Sequence, residues 1–402
     1  MPTNRDTVPA FDGPLKVPVE PAQGGWYTDA ERDALRLVFD ASDNWRSGWR
    51  FAEYAAAFEE KFAAYCGAAH ARVFNSGGTA LEMVLRALDL EPGDEVISCG
   101  INFVAPHLAV INQGGRLILA EPDPLTLNLD PADTVARMGP RTRAILLTHW
   151  NGAVADVARF EELAAAHPHP VHGPPKVIVD AARACGGRGP SGVRVGALGW
   201  ATTFSFESKK LMTTLGHGGM VTTHDAVLAE KLDALRTYGG RDQWGTNQVL
   251  SKAACAVGLV QLARLDTMNT ARITRAHQRT TALADIPELT LPPQLDGARH
   301  LYYRHMLLVP DAWSGAGRNE LMNLLASRYG VGSIISDPVT YLGHGFIRRH
   351  TAGQHLPRAE HLAGRLLCPC LHPCMDDADE DLVRHAIRSA TADVARARAT
   401  TT

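Results

Sequence analysis

The chain has 402 residues and a formal net charge of −3, with 45% hydrophobic and 21% charged residues. This composition is typical of a folded globular protein, and the length is enough for two or three domains. The sequence has no basic excess or basic stripe, which argues against nucleic acid as a partner. No apolar run approaches the roughly 18 residues of a membrane span, and the N-terminal sequence has no apolar signal segment. We therefore expect a cytoplasmic protein.

Hydrophobic periodicity predicts alternating helices and strands after a Pro- and Gly-rich arm at 1–30. The predicted helices cover 28–37, 51–66, 80–88, 103–112, 131–138, 157–166 and 226–236. The predicted strands cover 95–99, 116–120, 143–148, 176–179, 201–206 and 219–223. Strands separated by helices of this length favour a mainly parallel sheet covered on both faces, which binds ligands at the carboxyl ends of its strands.

The C-terminal third has a different pattern. One long helix or two in succession is predicted over 249–283. Beyond it the pattern predicts strand 302–309, helix 319–329, strand 331–335, helix 359–367 and a last helix from 379. The whole chain therefore predicts an α/β fold with four parts. These are the arm (1–30), a large domain (31–248), linking helices (249–283) and a small C-terminal α+β domain (284–402).

The segment NSGGT at 75–79 directly precedes a predicted amphipathic helix. Glycines at this place allow an anion to approach the backbone, and the free N–H groups of the helix start point towards it. The segment is equally compatible with a simple strand-to-helix turn in which Ser or Thr caps the helix. It is a candidate phosphate site.

Two further features concern ionisable residues. Asp180 follows the apolar strand 176–179, where a buried carboxylate needs a cationic partner such as a pyridinium nitrogen; a helix N-cap is the alternative. Lys209 and Lys210 follow the strand 201–206 and precede a Gly-rich turn. A lysine held in a pocket there could form a Schiff base, whereas an ordinary pair of surface lysines is the simpler interpretation.

Cysteines suggest no disulfide framework, because their number is odd, at seven, and no secretory signal is evident. The tail contains Cys368, Cys370, His372 and Cys374, but this spacing fits no standard zinc motif. We expect no metal site, and interpret the segment as a buried strand with its turn. A metal protein using this segment is the alternative.

The order of the three features matches the needs of pyridoxal phosphate: an anion site, a partner for the ring nitrogen and a lysine about thirty residues later. With these and other motifs, the chain resembles the DegT/DnrJ/EryC1/StrS aminotransferases. The resemblance rests on residues 58–67 (FEEKFAAYCG), 76–81 (SGGTAL), 91–97 (EPGDEVI), 149–152 (HWNG), 180–182 (DAA), 204–206 (FSF), 245–247 (GTN) and 261–266 (QLARLD). It implies the fold of type I pyridoxal-phosphate enzymes, with a seven-stranded large-domain sheet.

The resemblance also implies roles for single residues. Lys210 corresponds to the Schiff-base lysine and is the expected catalytic residue, with Lys209 as its only rival. Asp180 would hold the pyridine nitrogen protonated. The expected phosphate contacts are Ser205, Gly77, Gly78, Thr79 and, from the neighbouring subunit of a homodimer, Asn247.

The ring of Phe103 would stack on the cofactor, although a place in the helix core is also possible. Arg183 stands where the family usually has Gln or His, and could stack on the cofactor or grip a substrate carboxylate; a surface helix residue is the alternative. The expected substrate contacts are Arg183, His149, Trp150 and Tyr341. Other departures from the family pattern lie at Gly78, His217, Gln248 and Val249.

We therefore expect a homodimeric pyridoxal-phosphate-dependent aminotransferase. By resemblance, its amino donor is glutamate or glutamine and its acceptor a keto-sugar, ketocyclitol or related polar ketone. Such enzymes serve antibiotic and other secondary pathways or surface-sugar biosynthesis. One alternative is another reaction class on the same fold, a dehydratase or a lyase. The other is a regulatory protein that has lost turnover.

Overall fold

A computed structural model describes residues 14–48, 52–239, 243–295 and 297–399. Residues 1–13 of the expected arm and Phe51, the expected first residue of the second helix, lie outside the described residues. The expected four-part domain division remains a proposal.

The central feature of the fold is a seven-stranded sheet, with the strand order β1-β7-β6-β5-β4-β2-β3. Strands β2 to β6 run parallel, and β7 is antiparallel to both of its neighbours. The strands are β1 (His70–Phe74), β2 (Glu95–Cys99), β3 (Arg116–Ala120), β4 (Thr142–Thr148), β5 (Lys176–Asp180), β6 (Ala201–Ser205) and β7 (Gly219–Thr223). The predicted α/β fold with a mainly parallel seven-stranded sheet is confirmed.

Helices cover both faces of this sheet, so nearly all residues of its inner strands are buried. All seven residues of β4 and all five of β2 are buried, as expected for parallel strands between two layers of helices. The helices up to residue 283 are α1 (Asp29–Ser42), α2 (Ala52–Cys66), α3 (Gly77–Arg86), α4 (Val104–Asn112), α5 (Pro131–Arg137), α6 (Val157–Ala166), α7 (Ala226–Arg236) and α8 (Lys252–Leu283).

The C-terminal part is built on a three-stranded antiparallel sheet in the order β8-β10-β9. Its strands are β8 (Leu307–Leu308), β9 (Ser333–Ile334) and β10 (Leu366–Pro369). Its helices are α9 (Ala316–Tyr329), α10 (Thr340–Gly343), α11 (Gly345–His350), α12 (Pro357–Arg365) and α13 (Asp377–Ala399). The predicted strands 302–309 and 331–335 are thus only two residues long, and the helix predicted over 359–367 ends at Arg365.

Strand β1 was not predicted. Its sequence HARVF is short and lies at the sheet edge, and only the three residues 67–69, with a turn at Gly67, separate it from α2. Arg72 on this strand pairs with Asp233 of α7. The predicted strand at the C-terminal cysteines is present as β10: Cys368 and Cys370 are buried, Cys374 is exposed, and all seven thiols are free.

The long segment 249–283 contains one helix, α8, capped by Ser251. No helix among the described residues combines the length and hydropathy that a membrane span needs. In the same part of the chain, no three or more His, Cys, Asp or Glu side chains are grouped so that they could hold a metal ion.

Helix α8 is joined to α13 by a fully buried ion pair. Arg279 Nε donates to Glu380 Oε1 at 2.7 Å, and Arg279 Nη1 donates to the carbonyl oxygen of Cys370 at 2.7 Å. We expect Arg279→Met to destabilise the fold by about 3–5 kcal/mol, because it leaves Glu380 as an unpaired buried charge. Urea unfolding followed by tryptophan fluorescence measures the change.

The matched control is Arg388→Met, which removes an exposed pair with Asp285 between the same two regions. Exposed pairs contribute little to stability, so its unfolding curve should overlay that of the unmodified protein. Equal shifts for both variants would contradict the assignment of α8–α13 docking to the buried pair.

Candidate active site

A cavity of about 710 Å³ opens where the carboxyl ends of the central strands meet the starts of α3 and α4. The lining comes from the whole chain. It includes Glu20 from the arm, Thr148, Asp180 and Ser205 from strand ends, and Tyr303, Arg304 and Asp337 from the C-terminal part. A ligand site at this sheet edge is the position that the parallel topology predicts.

The start of α3 forms one wall of the cavity, through Ser76, Gly77 and Gly78. Gly77 packs directly on Ser205: a Cβ atom at position 77 would lie 2.7 Å from the Cβ of Ser205. Gly78 has space around it, since a Cβ there would meet only the Ser76 Oγ at 3.8 Å. Helix-terminal N–H groups beside a hydroxyl suit the binding of a phosphate.

Thr79 does not line this cavity, unlike Gly77 and Gly78. Its N–H donates to Ser76 Oγ at 3.0 Å, and the two hydroxyl oxygens lie 2.9 Å apart. Ser76 is therefore the N-cap of α3, and its hydrogen bond with Thr79 stabilises the first turn of the helix. The two interpretations of this segment, helix cap and anion site, are compatible.

Asp180 ends β5 and is buried at the base of the cavity. Its Oδ1 accepts a hydrogen bond from Ala182 N at 2.9 Å, but no helix follows, so it is not a helix N-cap. Burial raises the pKa of Asp180, although the Ala182 bond and the positive charges of Lys210 and Arg183 act in the opposite direction. Because burial disfavours the ionised form of Asp180, any further cation that enters the cavity would stabilise that form.

The two adjacent lysines have different surroundings. Lys209 Nζ donates to Glu20 Oε2 at 2.6 Å, and about half of its side chain is exposed; this hydrogen bond raises the pKa of Lys209. Lys210 Nζ lies in the cavity, 5.9 Å from the centre of the Phe103 ring and 5.5 Å from that of Tyr303. The geometry therefore favours Lys210 as the amine that meets a ligand.

Phe103 occupies the N-cap position of α4, and its side chain is not part of the helix core, since 54% of the residue is exposed. Asn102 fixes this position from both sides. Its Nδ2 donates to Thr148 Oγ1 at 2.9 Å, while its Oδ1 accepts from the N–H of Phe103 at 2.8 Å. The aromatic ring is thus held at the cavity by a polar residue that sequence reasoning missed.

Arg183 is buried and lines the cavity, so it is not a surface helix residue. Its guanidinium forms a two-pronged ion pair with Asp337, with Nη2 to Oδ1 at 2.8 Å. Burial opposes the charge of Arg183, but Asp337 raises its pKa, and Arg183 in turn lowers the pKa of Asp337. The carboxylate that we expected Arg183 to receive from a substrate is supplied by the chain itself.

Three of the expected substrate residues do not line the cavity. The His149 ring accepts the N–H of Ala155 at 3.1 Å, and burial lowers its pKa to about 3, so it is neutral. Trp150 is packed in the main hydrophobic core. The Tyr341 hydroxyl donates to Glu360 Oε1 at 2.5 Å and accepts the N–H of Leu356 at 3.0 Å.

The expected substrate contacts of these residues remain predictions; what the structure shows for the HWNG segment at 149–152 is a set of hydrogen bonds to a loop beside the cavity. Tyr303 N donates to the carbonyl of Asn151 at 3.1 Å, and the Asn151 side chain donates to the carbonyl of Arg304 at 3.0 Å. Leu301 N donates to the carbonyl of Gly152 at 2.9 Å. The segment anchors the loop that carries Tyr303 and Arg304 into the cavity, so it acts on the site through the backbone.

Asn247 lies beside Thr237 at the end of α7 and does not line the cavity of its own chain. Its expected contact across a subunit interface remains a prediction. His217, one of the departures from the family pattern, is exposed and lines the cavity. Sequence reasoning missed the lining residues Glu20, Asn102, Tyr303, Arg304, Asp337 and His344, which follow no local motif that points to a ligand.

Solved structures share this fold. The crystal structure of Streptomyces venezuelae DesV, in complex with a ketimine intermediate, superposes with a TM-score of 0.83 at 31% identity, covering 93% of this chain and 99% of that chain. The architecture is that of the aminotransferases.

Sequence comparison specifies the family. The model of the DegT/DnrJ/EryC1/StrS aminotransferase family matches residues 31–388, and the chain belongs to this family. The spore coat polysaccharide biosynthesis protein SpsC of Bacillus subtilis (strain 168) is 32% identical over 350 residues, 82% of this chain and 88% of that protein. The dTDP-3-amino-3,4,6-trideoxy-alpha-D-glucose transaminase of Streptomyces venezuelae is 35% identical over 340 residues, 82% and 85% respectively. The protein is an aminotransferase, and its family and solved relatives are pyridoxal-phosphate-dependent.

The contact between Gly77 and Ser205 gives a test of the anion site. We expect Gly77→Ala to weaken the binding of pyridoxal phosphate roughly tenfold or more, because the added methyl group overpacks the contact with Ser205 at a cost of about 1–3 kcal/mol. Fluorescence titration with the cofactor measures the affinity. Gly139→Ala is the control, since a Cβ there meets no atom within 4 Å. Unchanged affinity in Gly77→Ala would remove the start of α3 from the site.

Proposed function

We propose that this aminotransferase uses pyridoxal phosphate to move an amino group from glutamate or glutamine to a ring ketone. The acceptor class is a keto-sugar, a ketocyclitol or a related polar ketone, in antibiotic, other secondary-metabolite or surface-sugar biosynthesis. The observation that carries the proposal is the position of Lys210 Nζ, in one cavity with the rings of Phe103 and Tyr303 and the carboxylate of Asp180.

The residues of the cavity fit the cofactor in three respects. The start of α3 and the Ser205 hydroxyl offer donors for a phosphate, and Gly77 leaves no side chain between them. Asp180 is a buried carboxylate with a raised pKa, which a protonated ring nitrogen would stabilise. The volume of about 710 Å³ is within the range of sites that enclose a cofactor or substrate.

Pyridoxal phosphate, when bound, supplies the electron sink that lets an amino group leave one carbon and be delivered to another. Within this site Asp180 would keep the ring nitrogen charged, and the amides of Gly77 and Gly78 with Ser205 would hold the phosphate. Phe103 would limit the tilt of the ring. The Lys210 amine would take a proton from the donor α-carbon and give a proton to the acceptor carbon in the reverse half-reaction.

We also propose a homodimer with shared active sites. Asn247 does not reach the cavity of its own chain, and exposed aromatic residues lie close to it in the sequence. Trp244 is 54% exposed and Tyr238 70% exposed, as is common for residues that a second subunit covers. For the location we propose the cytoplasm, which is consistent with seven free thiols.

The two lysines give the principal test of this function. We expect the purified protein to show the visible absorption band of bound pyridoxal phosphate, and L-glutamate or L-glutamine to bleach it. Lys210→Ala should lose the bleaching, with the rate of amino transfer about a hundred- to ten-thousandfold lower, because the proton-transferring amine is gone. Circular dichroism checks that the fold is retained.

Lys209→Ala is the matched control, and it should keep both the band and the bleaching. The reverse pattern would assign the role to Lys209. A protein that binds the cofactor but releases no aminated product with any ring ketone would contradict the proposed reaction. It would favour a dehydratase or lyase on this fold.

Asp180→Asn separates two effects of the buried carboxylate. We expect the affinity for pyridoxal phosphate to fall about ten- to a hundredfold, because a charge-assisted hydrogen bond is lost.

The cofactor-free variant should be at least as stable as the unmodified protein. Burial raises the pKa of Asp180 in the folded protein. The unmodified protein therefore loses stability as the pH rises from the ordinary carboxyl pKa through this raised pKa, and Asn removes this dependence. Thermal unfolding at pH 5 and pH 8, without cofactor, measures the difference. A variant that unfolds earlier at both values would contradict this account.

A further inference from the structure

Two arginines line the cavity in the described part of the chain, Arg183 and Arg304. Both guanidinium groups lie near the ring of Tyr303, with their central carbons 5.2 Å and 5.3 Å from its centre. Each is paired with a carboxylate of the chain, but the two carboxylates differ in how firmly they are held.

The partner of Arg183 is fixed. Asp337 is buried, as is Arg183, and only 6% of the Asp337 side chain is exposed. Separating two buried charges costs several kcal/mol unless each finds a new partner, and Asp337 has no second cation in direct contact among the described residues. Arg183 is therefore already paired before any substrate enters the cavity.

The partner of Arg304 is held differently. Glu20 belongs to the arm that precedes α1, and its carboxylate is shared: Oε1 pairs with Arg304 and Oε2 with Lys209. The Arg304 side chain is 11% exposed, that of Glu20 24% and that of Lys209 49%. If Glu20 leaves Arg304, it keeps a charged partner at the edge of the cavity, so this separation costs less than the first.

Glu20 is ionised in this position. Partial burial disfavours its charge, but the hydrogen bond from Lys209 and the charge of Arg304 hold its pKa below the ordinary value. The cavity therefore contains an arginine that is neutralised by a carboxylate from the segment preceding α1.

We propose that Glu20 occupies the place of a carboxylate of the amino donor. The donor carboxylate displaces Glu20 from Arg304, and Lys209 retains Glu20 meanwhile. This inference rests on the proposed function, since it assigns the donor-binding residue of that same site. Arg304 then determines the specificity for a carboxylate-bearing donor. Glu20 is a positioning residue that competes with the donor carboxylate for Arg304.

The arrangement answers a need of any aminotransferase whose acceptor lacks a carboxylate. Donor and acceptor enter one cavity in turn, and a nearly buried arginine without an anion would be costly while the uncharged ketone is bound. Glu20 supplies the anion in that half of the cycle. Lys210 and Arg304 line the same cavity, and Lys210 Nζ and the Arg304 guanidinium lie 5.5 Å and 5.3 Å from the centre of the same Tyr303 ring.

The test compares Glu20→Gln and Arg304→Gln in the half-reaction with L-glutamate, followed by bleaching of the visible band of the bound cofactor. Arg304→Gln should raise the KM for the donor about ten- to a hundredfold, with kcat changed little, because a charge-assisted contact is lost. Glu20→Gln should lower the KM several-fold, because the donor no longer has to displace a carboxylate.

The opposite signs of the two changes in KM are decisive. A purely structural role of the Glu20–Arg304 pair would raise KM in both variants or in neither. Either of those results would overturn the inference. Glu320→Gln and Arg388→Gln, which remove the same charges from surface pairs, are the controls and should leave KM unchanged. An unmodified protein whose band no donor bleaches would contradict the proposed function, and this inference with it.

Repeating the series with L-glutamine and L-alanine identifies the carboxylate. A KM effect of Arg304→Gln on all three donors assigns the contact to the α-carboxylate. An effect on L-glutamate alone assigns it to the distal carboxylate. Donors that lack any carboxylate, such as simple primary amines, are the last comparison. If Arg304→Gln raises their KM as much as that of L-glutamate, the guanidinium does not bind a carboxylate and the inference fails.

Discussion

The site depends on one constraint: a carboxylate, Asp180, is buried at the carboxyl end of a central parallel strand. Burial makes its charge unfavourable, so the surroundings have to offer positive charge. Lys210 and Arg183 supply part of it, each from a different loop that leaves the same sheet edge. A ring nitrogen that enters the cavity would supply the rest. The cavity is built around a negative charge that the protein leaves only partly compensated.

The ring of Tyr303 is the second organising feature, because three cations gather around it. Lys210, Arg183 and Arg304 all lie within van der Waals or cation–π reach of this ring, and the two arginines bring their own carboxylates. One of these carboxylates comes from a buried loop and the other from the N-terminal arm. The C-terminal part and the arm thus supply the ion pairs of the cavity, while the sheet supplies Asp180 and Ser205 at its strand ends.

Local sequence patterns predicted the parts of the site that obey local rules. Gly77 and Gly78 follow a helix-start pattern, and Asp180 and Lys210 each follow an apolar strand, so the parallel topology brings them to one edge. The substrate contacts expected of His149, Trp150 and Tyr341 remain predictions, since none of the three lines the cavity of its own chain. These residues lie close to the site in the chain, but packing turns them into the core or to other partners.

The sequence by itself determined the α/β fold, most of the elements of the large sheet and the residues at its strand ends, because these depend on periodicity and on neighbours along the chain; the edge strand β1 was not among them. Only the tertiary structure decided that Arg183 meets Asp337, that Glu20 joins Lys209 to Arg304, and that HWNG holds the Tyr303 loop. Each of these contacts joins residues more than 150 positions apart. Their charge and shape complementarity exists only after the chain has folded, so no local pattern carries it.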